Sequence, residues 1–180
     1  MRPVEIVMRV TVAALLFVAS LAAQAPPDFS GRWVLAPDSP APPTQRGGRA
    51  VSGSLGSGWG SDLTVIQNAT TITVEYAEFA RSDMQPPTKF VYRLDGTESR
   101  NTINMGRGPQ EQVSKTAWDG SRLVITTSHR FNAGPDGKVM TSEIRQVLSL
   151  ESPAVLVVET TRSAVMGGQP TTTTTTYKKS

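Results

Sequence analysis

A chain of 180 residues carrying a formal charge of +3 is long enough for one domain with a packed core, and too weakly basic to argue for a nucleic-acid partner. It contains no cysteine, which excludes disulfides, thiolate metal sites, thiol nucleophiles and a lipid-modified N-terminal cysteine. With 15 glycines, 13 prolines and only 18% charged residues, turns must be plentiful, which favours an all-β chain over a helical bundle.

Residues 1–25 read as a signal peptide. Arg2 and Arg9 precede the apolar run Val10 to Ala23, and Ala23-Gln24-Ala25 supplies the small residues of a cleavage region. The apolar run is about 14 residues, short of the roughly 20 needed to span a bilayer as a helix. The expectation is therefore an exported protein, periplasmic or extracellular, with no stable membrane anchor after processing. Residues 26–180 are then a single β-barrel domain.

That domain opens on Asp28-Phe29-Ser30-Gly31-Arg32-Trp33. Gly31 to Ala36 predicts a first strand with Trp33 and Leu35 on one face, and Phe29 placed to fold over the domain's end. Residues 37–61 are Pro-rich, then Gly/Ser-rich, and carry no periodicity; they predict a long flexible loop, with Leu55 and Trp59 available to dock it as a lid. No Gly-Lys-Ser/Thr follows its glycines, so it is not a phosphate-binding turn.

From Asp62 onward alternation becomes regular. Asp62–Gln67 and Thr70–Ala77 predict a hairpin across Asn68-Ala69, with Leu63/Val65 and Ile72/Val74/Tyr76 as its apolar sets. Thr88–Leu94 presents Phe90, Tyr92 and Leu94 on one face and turns at Asp95-Gly96 into Thr97–Asn104, the Asp-Gly pair being a strong hairpin signal. Gln112–Trp118 turns at Asp119-Gly120 into Arg122–Phe131. Val139–Leu150, Ala154–Ala164 and Thr171–Lys178 complete a set of about ten strands. The threonine run 171–176 is β-branched and ends in Tyr177, so it predicts a closing strand rather than a low-complexity stalk. Sequential hairpins of this number form an antiparallel up-and-down meander that closes on itself to remove its edges, giving a barrel of 8–10 strands.

Gly31-Arg32-Trp33 on the first strand resembles the Gly-x-Trp signature of lipocalins and the wider calycin group, and 37–61 falls where lipocalins carry the large loop over the barrel mouth. The whole opening is similar to small exported bacterial proteins that begin Asp-Phe-Ser-Gly-x-Trp. The resemblance implies a lipocalin-like barrel with Trp33 packed at its closed end and a small-molecule site inside. It also implies a closing Arg packed over that Trp, for which Arg162 and Arg145 are the candidates. A Thr-Asp-Tyr-like second motif and a C-terminal helix are absent.

Residues able to carry chemistry are few. His129 is the sole histidine and shares a predicted face with Leu123, Ile125, Thr127 and Phe131, so an inward imidazole could hydrogen-bond a ligand. With no second His and no Cys it builds no metal site, and no cofactor is expected. No Gly-x-Ser-x-Gly elbow accompanies it. Glu143, Arg145, Glu159 and Arg162 predict opposite-charge pairs across one hairpin, and Asn132–Lys138 reads as a turn rather than a calcium loop. The reading is a non-catalytic barrel binding a small apolar or amphipathic ligand, lined by Tyr76, Tyr92, Trp118 and His129. Two other classes stay open: a structural or protein-interaction module acting through 37–61, and an exported hydrolase or isomerase.

Overall fold

In the computed structural model the described residues are 25–37, 39, 44–45, 49–50, 62–76, 88–104, 109–133, 138–163 and 169–180. Residues 1–24 of the expected signal peptide, Leu55 and Trp59, most of 37–61 and the turn 134–137 lie outside them. The described residues form twelve strands: β1 (Gly31–Leu35), β2 (Thr44–Gln45), β3 (Arg49–Ala50), β4 (Leu63–Gln67), β5 (Thr71–Tyr76), β6 (Thr88–Arg93), β7 (Ser99–Asn104), β8 (Pro109–Asp119), β9 (Arg122–Ala133), β10 (Lys138–Ser152), β11 (Val155–Arg162) and β12 (Thr171–Lys179). β2 and β3 pair only with each other; the remaining ten form one antiparallel sheet in the order β6-β5-β4-β1-β12-β11-β10-β9-β8-β7. The chain is an all-β meander curled into a nearly closed barrel, and the described residues include no helix.

Alternation explains which side chains fill it. Thr71–Tyr76 reads apolar at every second residue, and Ile72, Val74 and Tyr76 are buried while Thr71, Thr73 and Glu75 are not. The threonine run behaves as a strand: its first four residues are exposed, and only Thr175 and Tyr177 turn inward to burial. Phe29, Trp33, Leu63, Val65, Ile72, Val74, Tyr76, Phe90, Tyr92, Leu123, Ile125, Leu148, Leu156, Val158 and Tyr177 make one core. Each large apolar side chain so buried contributes about 1.5–3 kcal/mol.

The first and last strands pair, Trp33 opposite Lys179 and Leu35 opposite Tyr177, and β1 is joined on its other side to β4. Gly31 leaves room for a long side chain beside this closure. Its φ is +148°, and a Cβ there would stand 2.4 Å from Lys179 Cε, so a side chain at 31 would displace the lysine. The cleared space lets the Lys179 ammonium lie 5.4 Å from the centre of the Trp33 ring. The cation over the tryptophan is thus Lys179, from the closing strand, and not Arg162 or Arg145.

One rim of the barrel carries the short turns 68–70, 94–98, 120–121 and 153–154, and it is plugged. Trp33 and Phe29 are fully buried there, and the Trp33 indole N–H donates to the Phe29 carbonyl at 2.9 Å. Gln67 ties the plug down, its side-chain oxygen accepting from Phe29 N–H and its nitrogen donating to Pro27 C=O, both at 3.0 Å. Asp28 accepts from Ser30, and these bonds hold its carboxyl below the usual range.

The expected charge pairs across β10 and β11 do not form. Glu159 lies opposite Val147, Arg145 opposite Thr161, and Arg162 opposite Ile144, on the inward face. The ion pairs among the described residues lie instead on β5–β6, along β7–β8 and at the turns, as in Lys89–Glu75 at 2.8 Å and Arg100–Glu111 at 2.6 Å. All are partly exposed, where such pairs contribute about 0–1 kcal/mol.

Candidate functional site in the barrel interior

Strand register sorts the inward side chains into rows across the wall. Well away from the turn rim, Asn101, Gln112, His129 and Ser142 stand opposite one another on β7 to β10, and all four are buried. The next row is Ser99, Ser114, Thr127, Ile144 and Arg162, with Ser114 Oγ and Thr127 Oγ1 2.8 Å apart. After it come Thr116, Ile125, Gln146 and Thr160. Only in the row of Trp118, Leu123, Leu148 and Val158 does this arc become apolar. The arc β7–β11 therefore presents a buried polar surface, and burial of so many hydroxyls and amides is tolerable because neighbouring rows can satisfy them.

The arc β4–β6 is its opposite. Tyr76 meets Phe90 edge-on at 5.7 Å between ring centres, and Phe90 stacks on Tyr92 at 6.5 Å. Burial, with Tyr92 and Tyr177 close by, pushes the Tyr76 hydroxyl well above its ordinary pKa; burial does the same to Tyr92. Both stay protonated at neutral pH. The Tyr76 hydroxyl is buried and has no hydrogen-bond partner among the described residues. Leaving such a group unsatisfied costs about 1–3 kcal/mol.

Three of the sequence-derived lining residues, Tyr76, Tyr92 and His129, are inside the barrel, each 1–2% exposed. Burial lowers the His129 pKa, so the imidazole there is neutral at pH 7. Trp118 is placed elsewhere. It is six residues along β8 from Gln112, about 20 Å of strand, and stacks on Phe29 at 6.2 Å. It joins Trp33 at the plugged rim, where it borders an outer cleft of about 330 Å³ with Pro26, Asp28, Gln67, Asn68, Ala69 and Leu94.

No protein-family model and no curated protein sequence matches the chain. What the interior can do must therefore come from its own residues. The buried polar side chains among the described residues are Ser, Thr, Asn, Gln and His, without a carboxylate. They offer hydrogen bonds and no acid–base pair. Among the described residues no three His, Asp or Glu side chains gather as a metal site would require. Sequence reasoning missed Gln112, Ser114, Ser142, Gln146 and Arg162 as interior residues. The one signal for the β8 group was that Gln112, Ser114 and Thr116 share a period-2 face with Trp118.

The seam between β6 and β7 is where the ladder stops, and side chains replace it. Asn101 Oδ1 accepts from Val91 N–H at 2.8 Å while its Nδ2 donates to Val91 C=O at 3.1 Å. Ser99 Oγ accepts from Arg93 N–H at 2.7 Å, and Thr116 Oγ1 donates to Arg93 C=O. The polar arc thus has a structural duty at its margin, in the residues of β7 and Thr116.

Proposed function

We propose that the protein is an exported, non-catalytic, lipocalin-like carrier that binds a small amphipathic molecule inside the barrel. The observation that supports this most directly is the two-sided interior: an aromatic arc holding the unpartnered Tyr76 hydroxyl, and a polar arc running through Gln112, His129, Ser142 and Gln146. A core selected for packing alone is apolar throughout, since buried polar groups add no stability over apolar ones of the same shape. An amphipathic ligand matches both arcs at once, its apolar body against Phe90 and Tyr92, its polar groups toward the β7–β11 arc and an acceptor on Tyr76. Trp33 and Phe29 close the opposite end.

Native mass spectrometry of protein purified from its host tests the reading. A co-purifying molecule of a few hundred daltons, released on denaturation and depleted in Tyr76→Phe, is the expected result. Protein that stays ligand-free from its host, and takes up none of a panel of amphiphiles, overturns it.

A further inference from the structure

We propose that the ligand of this interior site carries a single anionic head, a carboxylate on an apolar body, and that Arg162 receives it; the inference rests on the carrier reading above. Arg162 ends β11, on the inward face it shares with Leu156, Val158 and Thr160, and stands between Ile144 of β10 and Thr171 of β12. It is partly buried, and burial holds its pKa below the ordinary arginine value.

No described residue answers its charge. The ion pairs of the described chain lie on other residues. Glu143, Glu151 and Glu159, the acids of its own hairpin, are exposed. A guanidinium kept partly from water without a counter-charge is costly, and the cost is removed when an anion arrives. A carboxylate fits best because its two oxygens match the planar fork of donors. The neutral hydroxyls and amides in the adjoining rows, Thr160, Gln146 and Ser142, can complete its hydrogen bonds without adding charge. A cationic head would meet Arg162 with no compensating carboxylate among the buried residues. The head would lie toward the rim away from the turns, leaving the body to run inward to the aromatic arc.

Isothermal titration of the purified protein with dodecanoate, dodecanol and dodecyltrimethylammonium tests this. Dodecanoate is expected to bind at least about tenfold more tightly than dodecanol, the ratio a charge-assisted hydrogen bond supplies, and the ammonium compound most weakly. Arg162→Gln should abolish that preference without lowering the thermal midpoint, and Arg162→Lys should retain part of it. Arg145→Gln, on the outward face, serves as the control with no effect. The head-group inference alone is overturned if dodecanol matches dodecanoate, if Arg162→Gln keeps the preference, or if Arg162→Lys loses it as fully as Gln. If none of the three amphiphiles binds, the carrier reading falls and this inference with it.

Discussion

The barrel is closed in two places by two different means. Where β1 meets β12, strands from opposite ends of the sequence form a backbone ladder, with Trp33, Val34 and Leu35 opposite Lys179, Lys178 and Tyr177. Where β6 meets β7, strands joined by one tight turn form none, and the side chains of Ser99, Asn101 and Thr116 reach across to the backbone of Val91 and Arg93. Nearness in sequence did not decide which pair would ladder. The Asp95-Gly96 turn reverses the chain as its residues require, with Gly96 at φ +78° and Asp95 accepting from Thr97 N–H at 3.0 Å. Hydrogen bonds from the Thr97 hydroxyl and then its N–H hold the Asp95 carboxyl at about 2, below its ordinary value. Reversal and pairing are separate events, and here Asn101 takes the place of a strand residue by offering one acceptor and one donor to Val91.

A ladder belongs to the main chain, so substitution at the β1–β12 closure leaves its backbone bonds in place. Trp33→Ala empties the plug and removes the bond to Phe29, with an expected loss of about 3–5 kcal/mol in denaturant unfolding. The β6–β7 closure is made of single side chains and can be undone one bond at a time. Asn101→Ala leaves Val91 N–H and C=O unanswered and should cost about 1–3 kcal/mol. Its distinguishing sign is local: amide exchange at Val91 and Arg93 should rise well before exchange in β1 and β12. Equal rises at both closures would mean that Asn101 supports the whole fold rather than the seam.

The same contrast marks how far the amino-acid sequence could be read. The ten sheet strands were legible because alternation is strict wherever the inward residues are apolar, as in Ile72-Val74-Tyr76 or Phe90-Tyr92. The β1–β12 closure was legible too, since the β-branched threonine run favoured a strand over a stalk and the meander needed an end. The polar arc was not. Gln112, Ser114 and Thr116 alternate with Glu111, Val113, Lys115 and Ala117, and a row of polar side chains facing inward has the same period as one facing water. Burial of such a row depends on what the strand is wrapped around, which no local pattern carries. Trp118 misled in the other direction: it shares the inward face of β8, yet that strand is long enough to place it at the plug, far from His129. Lys179 was passed over because an arginine was sought above Trp33, although any cation with room to cross Gly31 suffices.

His129 gives a pH test of which closure yields first. Its row runs directly to the side-chain seam, His129 opposite Gln112 and Gln112 opposite Asn101. Because burial lowers its pKa in the fold, the unfolded chain binds a proton there more readily than the native one. Its contribution to stability is complete above the unfolded value near 6.5 and is lost as pH falls below it toward the folded value. Between pH 8 and pH 5 the wild type should lose more stability than His129→Gln. Exchange at Val91 should rise in the same interval while the β1–β12 amides hold. A variant that loses as much as the wild type over this range would show that His129 does not carry the effect.

The smallest expected effect lies at the laddered closure. Lys179 contributes there through its charge over the Trp33 ring, and the β1–β12 register does not depend on that charge. Lys179→Met keeps a flexible chain of similar length over Gly31 and removes only the cation, so the expected cost is about 0.5–1 kcal/mol, the worth of an exposed cation–π contact. Trp33 fluorescence should shift while amide exchange in β1 and β12 stays as in the wild type. Should those amides open instead, the lysine would be holding the strands together, and this closure would depend on a side chain as the β6–β7 seam does. Gly31→Ala approaches the same contact from the other strand by driving the lysine off the ring. It should reproduce the fluorescence change and add backbone strain of its own, so that it costs more than Lys179→Met.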